Sequence, residues 1–263
     1  MTELHLAGSY TREVHASIAR IRENVLDWQH LPGLRGNSFT AAELIDEDAG
    51  GWRIRLTGKP RSVAQVQKLD LADDTSRYSV VTESGPGEGN EVRVAVTRKS
   101  PHLSHVSVEY RVTEDDPKRL AKLGKGFVTS HTQLWDEDEA MMRAREAALA
   151  PRKKSATPGS LFLGDEAEIR QQLPLAFEFG PGRFRLVDIA GTLLAHGDTC
   201  PHWLGPLHGA PDAGGVITCP WHGYRFAVAT GCSADGHGLQ LAAAPMIRIE
   251  RGRVVAQAAV RST

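Results

Sequence analysis

The stretch that decides the fold runs from Cys200 to Phe226, CPHWLGPLHGAPDAGGVITCPWHGYRF. It carries four potential metal donors in two pairs, Cys200 with His202 and Cys219 with His222, and sixteen residues separate His202 from Cys219. In each pair Pro follows the Cys directly and a Gly stands close behind, Gly205 or Gly223. Such short loops at strand ends can turn two side chains toward one metal while backbone amides face the sulfurs. Two Cys and two His also make up a Cys2His2 zinc set. A zinc finger, however, pairs Cys with Cys on a strand and His with His on a helix, whereas each loop here supplies one thiol and one imidazole. The third cysteine, Cys232, has no partner at a plausible separation within the two loops and reads as an incidental thiol.

Around this stretch lie short alternating runs, LPLAFEFG, RFRLVDIAG, TLLAHGD, GVITCP, YRFAVATG and MIRIERGRVVAQA, with turn residues at nearly every junction. They predict an all-β domain over 161–263. Upstream, PRKKSATPGS at 151–160 has no apolar periodicity and reads as a linker. Before it, Ile18, Ile21, Val25 and Trp28 recur at helical steps and predict a helix from Ala16 to Leu31, stopped by Pro32. The segments GWRIRLTG, SRYSVVTES, NEVRVAVTRKS and LSHVSVEYRV read as an antiparallel meander, and WDEDEAMMRAREAALA as a final helix opening on acidic residues. The fold class expected is therefore an α+β domain over 1–150, in which a curved sheet wraps the last helix around a cavity, followed by the all-β domain.

The Cys200–Phe226 stretch resembles the Rieske iron-sulfur motif, C-x-H followed about sixteen residues later by C-x-x-H, and the likeness extends to the flanking GPL, HGYRF and ATG. The resemblance implies a 2Fe-2S cluster with Cys200 and Cys219 on one iron and His202 and His222 on the other, a ligation that raises the potential above that of all-Cys clusters. High-potential respiratory members carry an extra disulfide between the loops, and Ser and Tyr two and four residues after the second His. Here Tyr224 and Phe226 occupy those places, so the likeness is to the ferredoxin and oxygenase branch.

The N-terminal plan resembles the START-like (SRPBCC) helix-grip fold, whose cavity holds apolar ligands. Within it ENVLDWQHLPGLRGNSF, Glu23 to Phe39, is similar to the D-x-x-H-x-x-x-x-H stretch of Rieske non-haem iron oxygenases. That similarity implies Asp27 as the residue bridging two metal centres and His30 as a ligand of a mononuclear Fe(II). A third ligand is implied from DEDEAMM, with Asp138 chosen and Asp136 or Glu137 as neighbours in register. Where the second His belongs stands Arg35, a permanent cation without a lone pair, so the mononuclear site is expected to be empty or weak. His131, expected ahead of the final helix, is the better substitute. His102 and His105, three apart in an expected strand, point to opposite faces. GPGEGN, Gly85 to Asn90, lies between strands and predicts a hairpin turn, and no dinucleotide fingerprint occurs elsewhere.

Lys plus Arg, 31, nearly balances Asp plus Glu, 32, which argues against a general nucleic-acid binder. No apolar run approaches the ~18 residues of a membrane span and no signal peptide opens the chain, so a cytoplasmic location is expected. Two functional readings follow from the resemblance. One is an oxygenase-like oxidoreductase, a homotrimer as in that family, taking electrons from a separate NAD(P)H-dependent reductase or ferredoxin and acting on a hydrophobic small molecule. The other is a Rieske electron carrier fused to a ligand-binding or sensing module that has lost its iron site at Arg35.

Overall fold

The computed structural model describes residues 3–34, 38–59, 63–72, 76–150 and 156–258; Arg35 and residues 151–155 of the expected linker lie outside them. Contacts divide the chain into two compact units, Met1–Arg143 and Ala144–Thr263.

The first unit is a seven-stranded antiparallel sheet with helices. Its elements are β1 (His5–Val14), α1 (Ile18–Leu26), α2 (His30–Leu34), β2 (Phe39–Asp48), β3 (Gly51–Gly58), β4 (Ala64–Leu71), β5 (Arg77–Ser84), β6 (Glu91–Ser100), β7 (Leu103–Val112) and α3 (Pro117–Leu149). The strand order is β1-β7-β6-β5-β4-β3-β2, so α1 and α2 carry the chain from one edge of the sheet to the other. Alternation places Val94 and Val96 of β6 and Val106 and Val108 of β7 on one face, where they pack with Val14, Ile21, Trp135 and Met142. A second core holds Leu31, Trp52, Ile54, Leu56 and Leu69. This is the expected α+β helix-grip plan.

Three expectations need correction. The helix expected over Ala16–Leu31 is two helices: Asp27 caps α1 with a non-helical ψ of 74°, and Pro32 sits inside α2, in its first turn, where a missing N–H breaks no helical bond. The final helix starts at Pro117 rather than near Trp135. Asp116 precedes that proline and accepts the Arg119 N–H at 2.9 Å, a capped start with proline at the first helical position. The acids from Asp136 to Glu139 are therefore mid-helix, and His131 is a helical residue. His102 lies in the β6–β7 turn and only His105 is in the strand, whereas Gly85–Asn90 does form the β5–β6 turn.

The second unit contains β8 (Ser160–Asp165), α4 (Glu166–Gln171), β9 (Leu175–Phe179), β10 (Gly182–Ile189), β11 (Thr192–Gly197), β12 (Val216–Thr218), β13 (Arg225–Ala227), β14 (Met246–Glu250) and β15 (Arg253–Gln257). These strands form two three-stranded sheets, β11-β10-β9 and β14-β15-β8, and the hairpin β12-β13. Leu186, Leu193, Ile169 and Val254 fill the core between them. Among its described residues the unit is all-β apart from the end of α3 and the short helix α4. Its loops after β11 and after β12, 198–215 and 219–224, carry the paired donors.

Candidate functional site

The two donor loops are the same turn built twice. The Cys200 N–H donates to the Gly205 carbonyl and the Leu204 N–H returns to the Cys200 carbonyl; the Cys219 N–H donates to the Tyr224 carbonyl and the Gly223 N–H returns to the Cys219 carbonyl. All four bonds lie between 2.8 and 3.0 Å. The residue four after each cysteine is left-handed, Leu204 at φ 64° and Gly223 at φ 73°. Glycine meets that demand without strain, and Leu204 meets it at a cost of about 1–2 kcal/mol.

This turn aims backbone amides at sulfur. The N–H groups of His202 and Trp203 donate to the Cys200 sulfur, and those of Trp221 and His222 to the Cys219 sulfur. The thiols are 0% and 1% exposed and hydrogen-bonded to each other. That bond and burial push Cys200 well above the ordinary thiol range; accepting it holds Cys219 down against burial, helped by His222. The imidazoles lie on the outer side: His202 and His222 are half-buried, with ring centroids 4.5 Å apart and planes at 83°.

The four donors therefore come together, sorted thiol with thiol and imidazole with imidazole. Such sorting fits a two-iron cluster, in which each iron takes two like protein ligands, and amide bonds to the sulfurs stabilise the thiolate form it needs. Among the described residues no three or more His, Cys, Asp or Glu side chains close around a single ion. Cys232 is exposed and stands in an isolated bridge to Gln240.

In the first unit a cavity of about 370 Å³ opens between sheet and α3, within the ~300–1,000 Å³ of small-molecule sites. Asp27, His30 and Asp138 all line it and all are buried. His30 Nδ1 is 3.5 Å from Asp27 Oδ2, and His30 Nε2 is 3.5 Å from Asp138 Oδ1. The sequence neighbours of Asp138 are placed elsewhere: Asp136 pairs with Arg12 at 2.8 Å on the surface, and Gln133 reaches Glu137 at 3.4 Å. His131 also lines the cavity, held by Tyr10 (Oη to Nδ1, 2.7 Å) and stacked on Phe127, which stacks in turn on Tyr110. Six residues of α3 lie between His131 and Asp138, a rise of about 10 Å along the helix axis.

Sequence reasoning missed His237. Its ring stacks on Tyr224, centroids 4.2 Å apart, and Tyr224 packs on His202. The signal present was the run Gly236-His237-Gly238.

Residues 160–241 match the model of the Rieske [2Fe-2S] domain. Over 81 residues the chain is 36% identical to apoptosis-inducing factor 3 of Mus musculus and, equally, of Homo sapiens, covering 31% of this chain and 13% of those relatives. The chain thus spans about one eighth of the length of the curated relatives it matches. Among solved structures it is similar to a ferredoxin of carbazole 1,9a-dioxygenase from Nocardioides aromaticivorans IC177 (19% identity, 39% of this chain and 100% of that one, TM-score 0.35). It is also similar to a START superfamily protein from Mycobacterium smegmatis (20% identity, 49% and 92%, TM-score 0.41). No described helix is long and apolar enough to cross a membrane. Paired donor loops and the family match converge on one conclusion: residues 160–241 are a Rieske [2Fe-2S] domain, a fold that implies iron-sulfur electron transfer.

Proposed function

We propose that this chain is a Rieske-type oxidoreductase in which Cys200 and Cys219 hold one iron of a 2Fe-2S cluster and His202 and His222 the other, and that it passes single electrons from a partner toward chemistry in the cavity of the first unit. The observation that carries this reading is the pair of matched turns, with both sulfurs inside and both imidazoles toward the surface. When bound, the cluster supplies one-electron exchange at a potential above that of all-cysteine clusters. The chain's own part is to keep water from the sulfurs by burial and to hold their charge with four amide bonds, leaving the imidazole side toward a partner.

The proposed donor is a separate NAD(P)H-dependent reductase or ferredoxin, which would meet the imidazole side of the cluster. A cytoplasmic homotrimer with a hydrophobic small molecule in the cavity completes the proposal. Anaerobically purified protein should contain about two iron atoms and two acid-labile sulfides per chain and give a Rieske electron paramagnetic resonance signal that His202→Cys alters. Stoichiometric zinc without sulfide, in protein made with ample iron, overturns the reading.

A second reading, a working mononuclear Fe(II) centre in the same cavity, is favoured by one observation. His30 Nε2 and Asp138 Oδ1 stand 3.5 Å apart, close enough to share one ion, while Asp27 faces the other ring nitrogen as an orienting carboxylate does in metal sites. Two protein donors fall short of a facial triad. The first reading therefore takes the cavity as a ligand chamber with at most a weak iron site.

A further inference from the structure

The ring of His202 is braced from outside. Tyr224 packs on it with centroids 4.5 Å apart and planes at 36°, and His237 stacks on Tyr224 at 4.2 Å and 20°. Three rings thus form a column from a proposed iron ligand to a side chain 47% exposed at the surface. His222 meets His202 edge-on, so the column and the second imidazole together confine the His202 ring.

The outer end of the column is held by a dedicated loop. The carboxylate of Asp235 accepts the Arg225 N–H at 2.8 Å and the Ser233 hydroxyl, and lies 3.9 Å from His237 Nε2. The His237 N–H donates to Ser233 Oγ at 3.1 Å, and the Ala234 N–H ties the loop to the Arg225 carbonyl at 2.8 Å. Gly236 and Gly238, at φ 82° and 68°, turn the chain on both sides of His237. Left-handed backbone at two such positions is open to glycine and costly for most other residues, and here it returns one aromatic side chain onto Tyr224.

We propose that Tyr224 and His237 are positioning residues for His202, their stacked rings fixing the plane of its imidazole and covering that side of it from water. The inference rests on the reading of this site as a Rieske centre. Groups that orient a metal-bound histidine commonly change metal affinity by about 10–100-fold when removed, and an exposed stack belongs at the low end of that range.

The test uses cluster-loaded protein and compares the parent with His237→Ala, His237→Phe, Tyr224→Leu and Tyr224→Phe. Two quantities are read anaerobically: the rate of cluster loss to a chelator and the width of the paramagnetic resonance signal. His237→Ala and Tyr224→Leu should lose the cluster about tenfold faster with a broader signal, and both phenylalanine variants should restore the parent's behaviour because a ring remains. If Tyr224→Leu does not fold, the surface pair His237→Ala and His237→Phe decides. An alanine variant identical to the parent overturns the inference alone. So does a His237→Phe as impaired as alanine, which assigns the effect to the imidazole's polar groups. A parent that takes up no cluster overturns the reading of the site and this inference with it.

Discussion

Gly205 of the first donor loop lies against the sulfur of Cys219 in the second: a methyl group on its Cα would stand 2.8 Å from Sγ and 3.0 Å from the Trp221 ring. The two loops are thus packed together at a point where no side chain fits, and the position of the second cysteine depends on a residue with no donor of its own. Gly205→Ala should displace Cys219 or Trp221 at an overpacking cost of about 1–3 kcal/mol, with iron and sulfide per chain falling well below the parent's. Full cluster content in Gly205→Ala would show that the loops separate freely.

In the first unit the equivalent close approach joins β1 to α3. A Cβ on Gly124 would meet the Ala7 carbonyl oxygen at 1.9 Å, and one on Gly8 would meet the Gly124 Cα at 3.0 Å. Helix and strand backbones touch there, so Gly124→Ala should destabilise the unit by more than the usual ~1–3 kcal/mol of a strained core, with a lower urea midpoint. Gly126, two residues on, has open space at its Cβ position, and Gly126→Ala should stabilise the helix by about 0.5–1 kcal/mol.

Acid should weaken the Rieske unit through a histidine that is not a proposed ligand. His196 is 1% exposed and its ring donates to the Gly197 carbonyl at 2.9 Å; burial pushes its pKa below the ordinary 6.5, and burial shifts His208 the same way. The unfolded chain then takes up the proton first, so this contribution is complete above about pH 6.5 and is lost as pH falls below it. Urea unfolding between pH 7 and pH 5 should show stability falling, and His196→Gln should flatten that slope. Equal slopes in the two proteins would exclude His196 as the cause.

Iron titration addresses the cavity. Beyond about two irons per chain from the cluster, added Fe(II) should bind weakly, and His30→Ala or Asp138→Asn should abolish that binding. Arg35→His should strengthen it if the remaining shell is intact, because an imidazole replaces a permanent cation. A tight third iron in the parent, lost on His30→Ala, would establish the mononuclear reading instead.

Strands with one buried face were legible. GWRIRLTG and LSHVSVEYRV alternate cleanly and became β3 and β7. FTAAELIDED, which is β2, was not, because it is an edge strand whose last six residues are all exposed and so carry no apolar period. The early half of α3 was hidden for a different reason. Gly124, Gly126, Val128 and Thr129 lower its helix propensity, and Gly124 is present for the contact with β1. Its start signal, Asp116-Pro117, was readable but lay far ahead of the clear apolar repeat.

The sequence by itself determined the donor chemistry: which side chains can bind metal, that they come as two Cys/His loops, and that Pro and Gly around them favour turns. Those properties depend on residues within five positions of each cysteine, and the hydrogen bonds of each loop close over that span. Only the tertiary structure decided that Asp27 and His30 meet Asp138, and that His237 covers Tyr224. Asp138 lies more than a hundred residues from His30, and its arrival beside the cavity depends on strand register and on where α3 crosses β1 at Gly8 and Gly124. A local pattern specifies which face of an element is buried, but the partner met on that face is set by long-range packing, in which a one-residue slip in a strand moves every side chain to the other side.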